Sequence, residues 1–312
     1  MIKYSVIIPH YSIPDLLVRC LESIPVREDI QLIVVDDHSP DSETYLERYP
    51  VLRRAGLTFI LSPENKGGGR ARNIGLDRAT GRWIVFADAD DTFEEGAFDV
   101  MDKYSDSDSD IIYFPTAFDV EGDWDPGDKL HWLNNLLTIY KETGDDSQLR
   151  CYHVVPWSKM IKRDFVESLG ARFDETRFSD DVMFSVKTGI GAPMISLADE
   201  SIYRNYLRRG SVSNPLRWDS SLMTDRAEVG MRANKMAKES HSLSYDDVYT
   251  ALSGLFFMDR ESFFKLCSKA RENHVSLFRV AWRVAQRAFK KIIGRFFFFA
   301  IFVTIITGIS GS

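Results

Sequence analysis

Cysteine is scarce. Cys20, Cys151 and Cys267 are the three in 312 residues, far apart, with no CxxC and no Cys/His spacing of the kind zinc sites use. A disulfide scaffold and a structural zinc are excluded, and the odd count fits a reducing compartment. No leader-like segment precedes the first apolar run. Net positive charge is also missing: at −7 the chain as a whole is no nucleic-acid binder. No uncharged stretch reaches the roughly 20 residues that span a bilayer. The longest, Phe296 to Ser312, has 17 and includes Gly and Ser. With 44% hydrophobic and 27% charged side chains, neither disorder nor a collagen-like chain fits, and no internal repeat is visible.

The length suits one large domain, or one plus an appendage. Charge is unevenly spread. Lys269, Arg271, Arg279, Arg283, Arg287, Lys290, Lys291 and Arg295 face only Glu272 within their segment, a local +7 on a chain of −7, so the rest carries −14. An acidic body is joined to a basic tail.

The body alternates strand and helix. Tyr4-Ser5-Val6-Ile7-Ile8-Pro9 predicts a strand covered on both faces. Further strands are expected at Gln31–Asp36, Leu57–Leu61, Trp83–Ala87 and near Asp110–Phe114. Between them, helices are expected at Asp15–Ile24, Asp41–Ala55, Arg70–Ala79 and near Glu94–Tyr104. Short connections in this order predict a parallel, doubly wound sheet, whose ligands sit beyond the carboxyl ends of its strands. The second strand ends in Asp36-Asp37 and the fourth in Asp88-Ala89-Asp90-Asp91. Five carboxylates thus converge on one edge, an unfavourable crowd unless a cation or many donors compensate.

Three sets of residues carry chemistry. A turn after the fourth strand brings Asp88 and Asp90 near one hard divalent ion, and oxygen-only donors suit Mg²⁺ or Mn²⁺. Asn65-Lys66-Gly67-Gly68-Gly69-Arg70-Ala71-Arg72-Asn73 lets backbone N–H groups approach a ligand and adds basic donors for phosphate. It is neither a Walker loop nor GxGxxG. Ser179-Asp180-Asp181 opens an amphipathic stretch, where one acid can cap the helix and the other act as a general base.

Together with Trp157-x-Lys159, Tyr203-Arg204 and Gly210-Ser211-Val212-Ser213, these sets resemble the family 2 inverting glycosyltransferases, from about Lys3 to Asn214. The resemblance implies a GT-A-like α/β fold: a doubly wound mixed, mostly parallel sheet with a C-terminal helical extension. It places Pro9, Tyr11, Asp36, Asp37, Asn65, Gly67, Arg72, Asp88 and Ala89 along a nucleotide sugar, with a UDP-sugar the expected donor, and Trp157 on the acceptor side. Asp90 is then the direct metal ligand with Asp88 beside it, and Asp181 is the base. Asp180 stands where the family usually has Glu, and Ser12 where it often has Asn. The implied reaction is a single displacement with inversion. Two rivals are a sugar nucleotidyltransferase, which would carry a glycine loop where this chain has His10-Tyr11-Ser12-Ile13-Pro14, and a silent binding protein.

Other features are read as structural. Ser105-Asp106-Ser107-Asp108-Ser109-Asp110 lacks the Gly and Glu of a calcium loop and is expected to be a solvated turn. His10 is expected in the pocket wall or hydrogen-bonded. Trp124, Trp132 and Tyr140, in an irregular 119–150 segment, are expected to pack. Domains are expected at 1–218 for the transferase, 219–274 for a helical unit and 275–312 for a tail. In that tail Arg279, Arg283, Arg287, Lys291 and Arg295 recur every four residues. Phe278, Trp282, Ala285, Phe289, Ile292 and Phe296 form another face. Such a helix suits an anionic membrane surface, lying in plane rather than spanning. The expected setting is the cytoplasmic side of a membrane, with a glycan or lipid-linked acceptor.

Overall fold

The computed structural model describes residues 1–123, 131–208 and 219–289. Trp124, Gly210–Ser213 and the tail from Lys290 onward lie outside the described residues. The chain runs β1 (Tyr4–His10), α1 (Pro14–Glu22), β2 (Ile30–Asp36), α2 (Tyr45–Arg48), β3 (Leu57–Leu61), α3 (Gly68–Leu76), β4 (Trp83–Phe86), β5 (Thr92–Phe93) and α4 (Ala97–Asp102). It continues with β6 (Ile111–Tyr113), β7 (Thr116–Glu121), α5 (Trp132–Thr143), α6 (Ser147–Tyr152), β8 (Lys159–Lys162), α7 (Arg163–Leu169), α8 (Val182–Gly191), β9 (Ile195–Leu197) and β10 (Tyr203–Arg208). Helices α9 (Ser220–Glu239), α10 (Asp247–Met258) and α11 (Arg260–Ser268) follow, with helix again at 277–289.

Seven strands form one sheet in the order β3-β2-β1-β4-β8-β6-β9. All neighbours pair in parallel except β8, which is antiparallel to β4 and β6. The sheet is therefore mixed and mostly parallel, with helices in the connections. This is the mixed, mostly parallel sheet expected, and its one antiparallel member is β8, whose chain turns directly into α7 at Arg163. β1 lies between β2 and β4, and its residues Val6, Ile7 and Ile8 are fully buried, as a strand covered on both faces requires. Winding reverses between β1 and β4, which opens a crevice beyond their carboxyl ends. A second, three-stranded sheet has the order β5-β10-β7 and joins strands far apart in sequence.

Two expectations are corrected. The single helix at Asp41–Ala55 is instead α2 flanked by short 3₁₀ turns at Ser42–Thr44 and Pro50–Arg53. Pro50 has no N–H to give and forces Tyr49 out of helical geometry, to φ −122° and ψ 90°. Among the described residues of the 119–150 segment most are helical: α5 buries Leu133, Leu136 and Leu137 at helical spacing, and α6 begins at Ser147. Trp132 and Tyr140 pack against the main core, as expected.

An aromatic wedge joins β4 to α8. Phe173 and Phe184 stack at 4.2 Å with planes 10° apart, and both meet Phe86 edge-on at 5.1 and 5.5 Å. Phe86 lies two residues before Asp88, and Phe184 three after Asp181, so this packing fixes the spacing of the two acidic ends.

The described residues divide into two compact units: those up to Arg208 with Met236–Ser244, and those of 219–235 with 245–289. The second has its own core, centred on Met223, Met231, Val248, Leu252, Leu255, Phe263 and Leu266. In its last helix Arg279 pairs with Asp246 at 2.7 Å and lies 4.2 Å over the Tyr249 ring, while Arg287 donates to the Thr250 carbonyl. Two residues of the expected basic face are thus turned onto α10. Leu277, Phe278, Trp282 and Phe289 are left exposed. No helix among the described residues is long and apolar enough to cross a membrane.

Removing the wedge should be costly. Phe184→Ala is expected to lose about 3–5 kcal/mol, read as a lowered denaturation midpoint in urea. A loss under about 1 kcal/mol would mean the wedge does not hold β4 and α8 together.

Candidate active site

The crevice begins with two carboxylates at the end of β2, and both are engaged by their own neighbourhood. Asp36 is fully buried; its oxygens accept from His10 Nδ1 at 2.7 Å and from the Ser39 N–H and hydroxyl, each at 2.7 Å. The Ile13 N–H donates to His10 Nε2, which leaves Nδ1 as the donor to Asp36. Burial opposes ionisation of Asp36, but the His10 and Ser39 hydrogen bonds win and hold its carboxyl below the usual range. His10 is thus hydrogen-bonded, not free for chemistry. Asp37 accepts from the N–H groups of Lys66 at 3.0 Å and Gly67 at 2.7 Å. It thereby anchors the glycine loop beside β2.

Glycine is required in that loop for two different reasons. Gly67 has φ +90°, a conformation that side chains resist. Gly69 faces the chain of the 174–180 loop so closely that a Cβ there would overlap the Asp174 carbonyl oxygen. The amide of Asn73 bonds both the N–H and the carbonyl of Phe173, at 2.9 and 3.0 Å. α3 and the loop that carries Asp180 are stapled together.

That staple delivers Arg72. Its buried guanidinium donates through Nη2 to Asp88 Oδ1 at 2.7 Å and through Nη1 to Asp180 Oδ2 at 2.8 Å, and lies 5.4 Å over the Phe173 ring. Burial alone would discharge it, but Asp88, Asp180 and Asp181 hold it firmly protonated. Residues 72, 88 and 180 meet here from three separate parts of the chain.

The loop after β4 is fixed by β10. The Tyr203 hydroxyl accepts from the Asp88 N–H and donates to Asp91 Oδ2, both at 2.8 Å. Asn205 and the Tyr206 N–H also donate to Asp91. Arg208 donates to Asp90 Oδ2 at 2.7 Å, and Arg19, stacked 4.0 Å over Tyr206, donates to the Asp90 carbonyl. Trp157 is buried and stacks on Tyr203 at 5.2 Å.

Potential ligand oxygens of Asp88, Asp90 and Asp91 all lie within 4.8 Å of one another. Burial and then Asp88 push the Asp90 carboxyl up, with Arg208 opposing, and the same two causes push Asp91 up further. Crowded carboxylates that are hard to ionise fit a site completed by a hard cation. Asp91 spends its oxygens on β10, so Asp88 and Asp90, with partly exposed side chains, are the pair open to an ion. The cluster can coordinate a divalent cation.

Asp181 begins α8, and burial, followed by the charge of Asp180, pushes its carboxyl up to about 7 against the pull of Arg72. A carboxyl of that kind can take a proton at neutral pH. Asp180 is also raised, by burial first.

The remaining expected residues border this cluster to different degrees. Pro9 pairs with Val35 in the sheet, Ala89 is buried in the β4 loop, and Tyr11 and Asn65 are exposed. Ser105–Asp110 is a turn in which Asp106 pairs with Arg82. Sequence reasoning missed the work of Arg208, Asn205, Arg19 and Asn73. Polar residues at alternate positions of a strand were the one available signal for the β10 set.

Fold and site together define an α/β protein whose acidic switch point can coordinate a divalent cation. The sequence profile of glycosyl transferase family 2 matches residues 5–170, and the chain belongs to that family. An uncharacterised glycosyltransferase of Escherichia coli K12, YibD, is 29% identical over 230 residues, 68% of this chain and 63% of YibD. The minor teichoic acid biosynthesis protein GgaB of Bacillus subtilis is 33% identical over 186 residues, 55% of this chain and 19% of GgaB. The chain thus spans less than two thirds of these relatives' length. Among solved structures, S. aureus TarS 1–349 in complex with UDP-GlcNAc shares the fold with a TM-score of 0.61 and 22% identity, covering 82% of this chain and 72% of that one. The mannosyltransferase PcManGT of Pyrobaculum calidifontis, in complex with GDP-Man and Mn²⁺, shares it at 0.51 and 18%, covering 92% and 80%.

Tyr203→Phe removes the donor to Asp91 and the acceptor for the Asp88 N–H. A stability loss of about 1–3 kcal/mol is expected, measured by chemical denaturation. An unchanged midpoint would show that β10 does not hold the acidic loop.

Proposed function

We propose that the chain moves a sugar from a nucleotide-sugar donor, a UDP-sugar, to a glycan or lipid-linked acceptor with inversion, in the synthesis of a cell-surface polysaccharide. The observation that carries this reading is Arg72, which hydrogen-bonds Asp88 and Asp180 at once and so sets a cation-binding pair beside a pair of acids suited to base work. The polysaccharide setting is supported by the names of relatives such as GgaB and the succinoglycan biosynthesis protein ExoO of Rhizobium meliloti.

In this reading Asp181 takes the proton of the acceptor hydroxyl as its oxygen attacks the anomeric carbon from the face opposite the nucleotide. Asp180, tied to Arg72, holds the pair in place. Asp88 and Asp90 would hold Mn²⁺ or Mg²⁺, which supplies positive charge against the leaving diphosphate. Arg72 and the start of α3 after the glycine loop would border the diphosphate, while the Lys66 and Gly67 N–H groups stay on Asp37. Pro9, Tyr11 and the ends of β1 and β2 border the nucleoside, with Asp36 and Asp37 shaping that wall. Trp157 supports the acceptor side through Tyr203. Contact with a membrane surface on its cytoplasmic side belongs to the same reading, supported by the exposed Leu277, Phe278, Trp282 and Phe289 beside basic Arg283.

UDP release from a panel of UDP-sugars, with and without Mn²⁺, tests this. One donor is expected to turn over only with metal. Its rate should be low below about pH 7 and level off above it, because the ionised form of Asp181 is the active one. Asp181→Asn should cost about 10²–10⁴-fold, and Asp90→Asn should lose Mn²⁺ binding read by electron paramagnetic resonance. Turnover indifferent to Asp181→Asn would remove the assignment.

A further inference from the structure

The helix at 277–289 is fixed along one side and left uncovered along another. Val280 is 2% exposed and belongs to the core of the second unit. Arg279 bonds Asp246 at 2.7 Å and lies over the Tyr249 ring, and Arg287 donates to the Thr250 carbonyl at 3.1 Å. Gly254 leaves room for that arginine, since a Cβ there would stand 3.0 Å from Arg287 Nη1. Two guanidinium contacts and a buried valine thus set the rotation of the helix about its axis.

With that rotation set, the outward side is apolar. Phe278, Trp282 and Phe289 are 79%, 60% and 64% exposed, and Ala281 and Ala285 are exposed between them. At about 100° per residue, these five fall within roughly 100° of arc. Single exposed hydrophobic residues need no explanation, but three large aromatics aligned on one helix face mark a contact surface. Beside the stripe, Gln286 and Arg283 are also exposed. No Asp or Glu occurs from Val275 to Ser312.

These features select the occupant. Two copies joined through the stripe would bring together two helices of the same positive sign, with no acid on either to meet Arg283. Paired helices commonly carry both signs of charge beside their seam. A bilayer with anionic headgroups answers each feature. Phe and Trp suit the boundary between acyl chains and headgroups, and an arginine beside them reaches lipid phosphate. The sequence goes on from Phe289 with Lys290, Lys291 and Arg295 and then an uncharged run, which adds charge of that one sign. At 277–289 the helix is about 20 Å long, short of the roughly 30 Å of a bilayer core, so it lies along the surface.

We propose that this aromatic stripe is the element that enters an anionic lipid surface, with Phe278, Trp282 and Phe289 inserted and Arg283 among the headgroups. The inference deepens the membrane contact proposed above and rests on it. It also divides the basic repeat seen in the sequence. Arg279 and Arg287 build the second unit, so the contact is carried by inserted aromatics rather than by an arginine spaced every four residues.

The full chain and vesicles of phosphatidylcholine mixed with phosphatidylglycerol test this without any sugar donor. Wild type is expected to sediment with the vesicles, and phosphatidylcholine alone should bind about tenfold more weakly or less. Joint substitution Phe278→Ser and Trp282→Ser, at exposed positions that the fold does not need, should weaken binding about a hundredfold. Lipids brominated on the upper acyl chain should quench wild-type tryptophan fluorescence and quench Trp282→Phe measurably less. Binding that survives the double substitution, or quenching unchanged in Trp282→Phe, overturns the stripe while leaving the membrane contact itself standing. Absence of any binding to the mixed vesicles overturns both, and equal binding to phosphatidylcholine alone overturns the anionic surface. A lipid-free dimer that Phe278→Ser dissolves, read by analytical ultracentrifugation, would give the stripe to a second copy and overturn the proposal. Sugar transfer is read apart from this, by UDP release in solution.

Discussion

Everything at the crevice depends on one guanidinium shared by two carboxylates. Arg72 binds Asp88 at the end of β4 and Asp180 before α8, at 2.7 and 2.8 Å. A buried arginine is expensive unless both ends of its planar fork are met by charge, and here each amino group has its own acid. The acids in turn would repel one another without it. Neither side of the contact is stable alone, so the three elements that carry them are held to one geometry. The aromatic wedge below makes that geometry rigid, because Phe173 packs under Arg72 and also stacks on Phe184 of α8.

Much of this was legible from local pattern. The apolar runs of β1, β2 and β4 specify buried strands, and an alternating order of elements specifies a sheet with acids at one edge. A helix boundary set by a proline was legible in principle, yet hydrophobic spacing from Asp41 to Ala55 hid it. What pattern does not encode is pairing across distance. Nothing in Lys159-Met160-Ile161-Lys162 announces a strand that runs against β4 and β6. Ser39, three residues on, meets Asp36 locally, but nothing near Asp36 says that His10 will occupy one of its oxygens, because that contact exists only once β1 and β2 are side by side.

The acids therefore split into two electrostatic kinds, although the sequence presents them alike. Asp36 and Asp37 are spent on building: their partners are neighbouring N–H groups, a hydroxyl and an imidazole, and ionisation of Asp36 is favoured. Asp91 is buried and Asp90, Asp180 and Asp181 are half-buried, all among like charges, and their ionisation is disfavoured. Ionised Asp36 stabilises the fold near neutral pH. The second kind is held at a cost that packing elsewhere offsets, a condition found at functional sites and in structural charge networks alike.

β10 shows how a single strand can serve both kinds of demand. Its side chains alternate between two faces. Tyr203 and Asn205, two residues apart, both reach Asp91 and pin the turn from one side. Arg204, Tyr206 and Arg208 point the other way: Arg204 pairs with Glu94 and Asp119, Tyr206 lies under Arg19, and Arg208 reaches Asp90. One face thus supplies neutral donors that fix the backbone, and the other supplies charge. Asp91, fixed by neutral donors, is committed to structure. Asp90 is balanced by a single arginine at the end of the strand, a partner that a divalent cation can replace. The difference between Asp91, committed to structure, and Asp90, one residue away and open to a cation, comes down to which face of β10 each side chain meets.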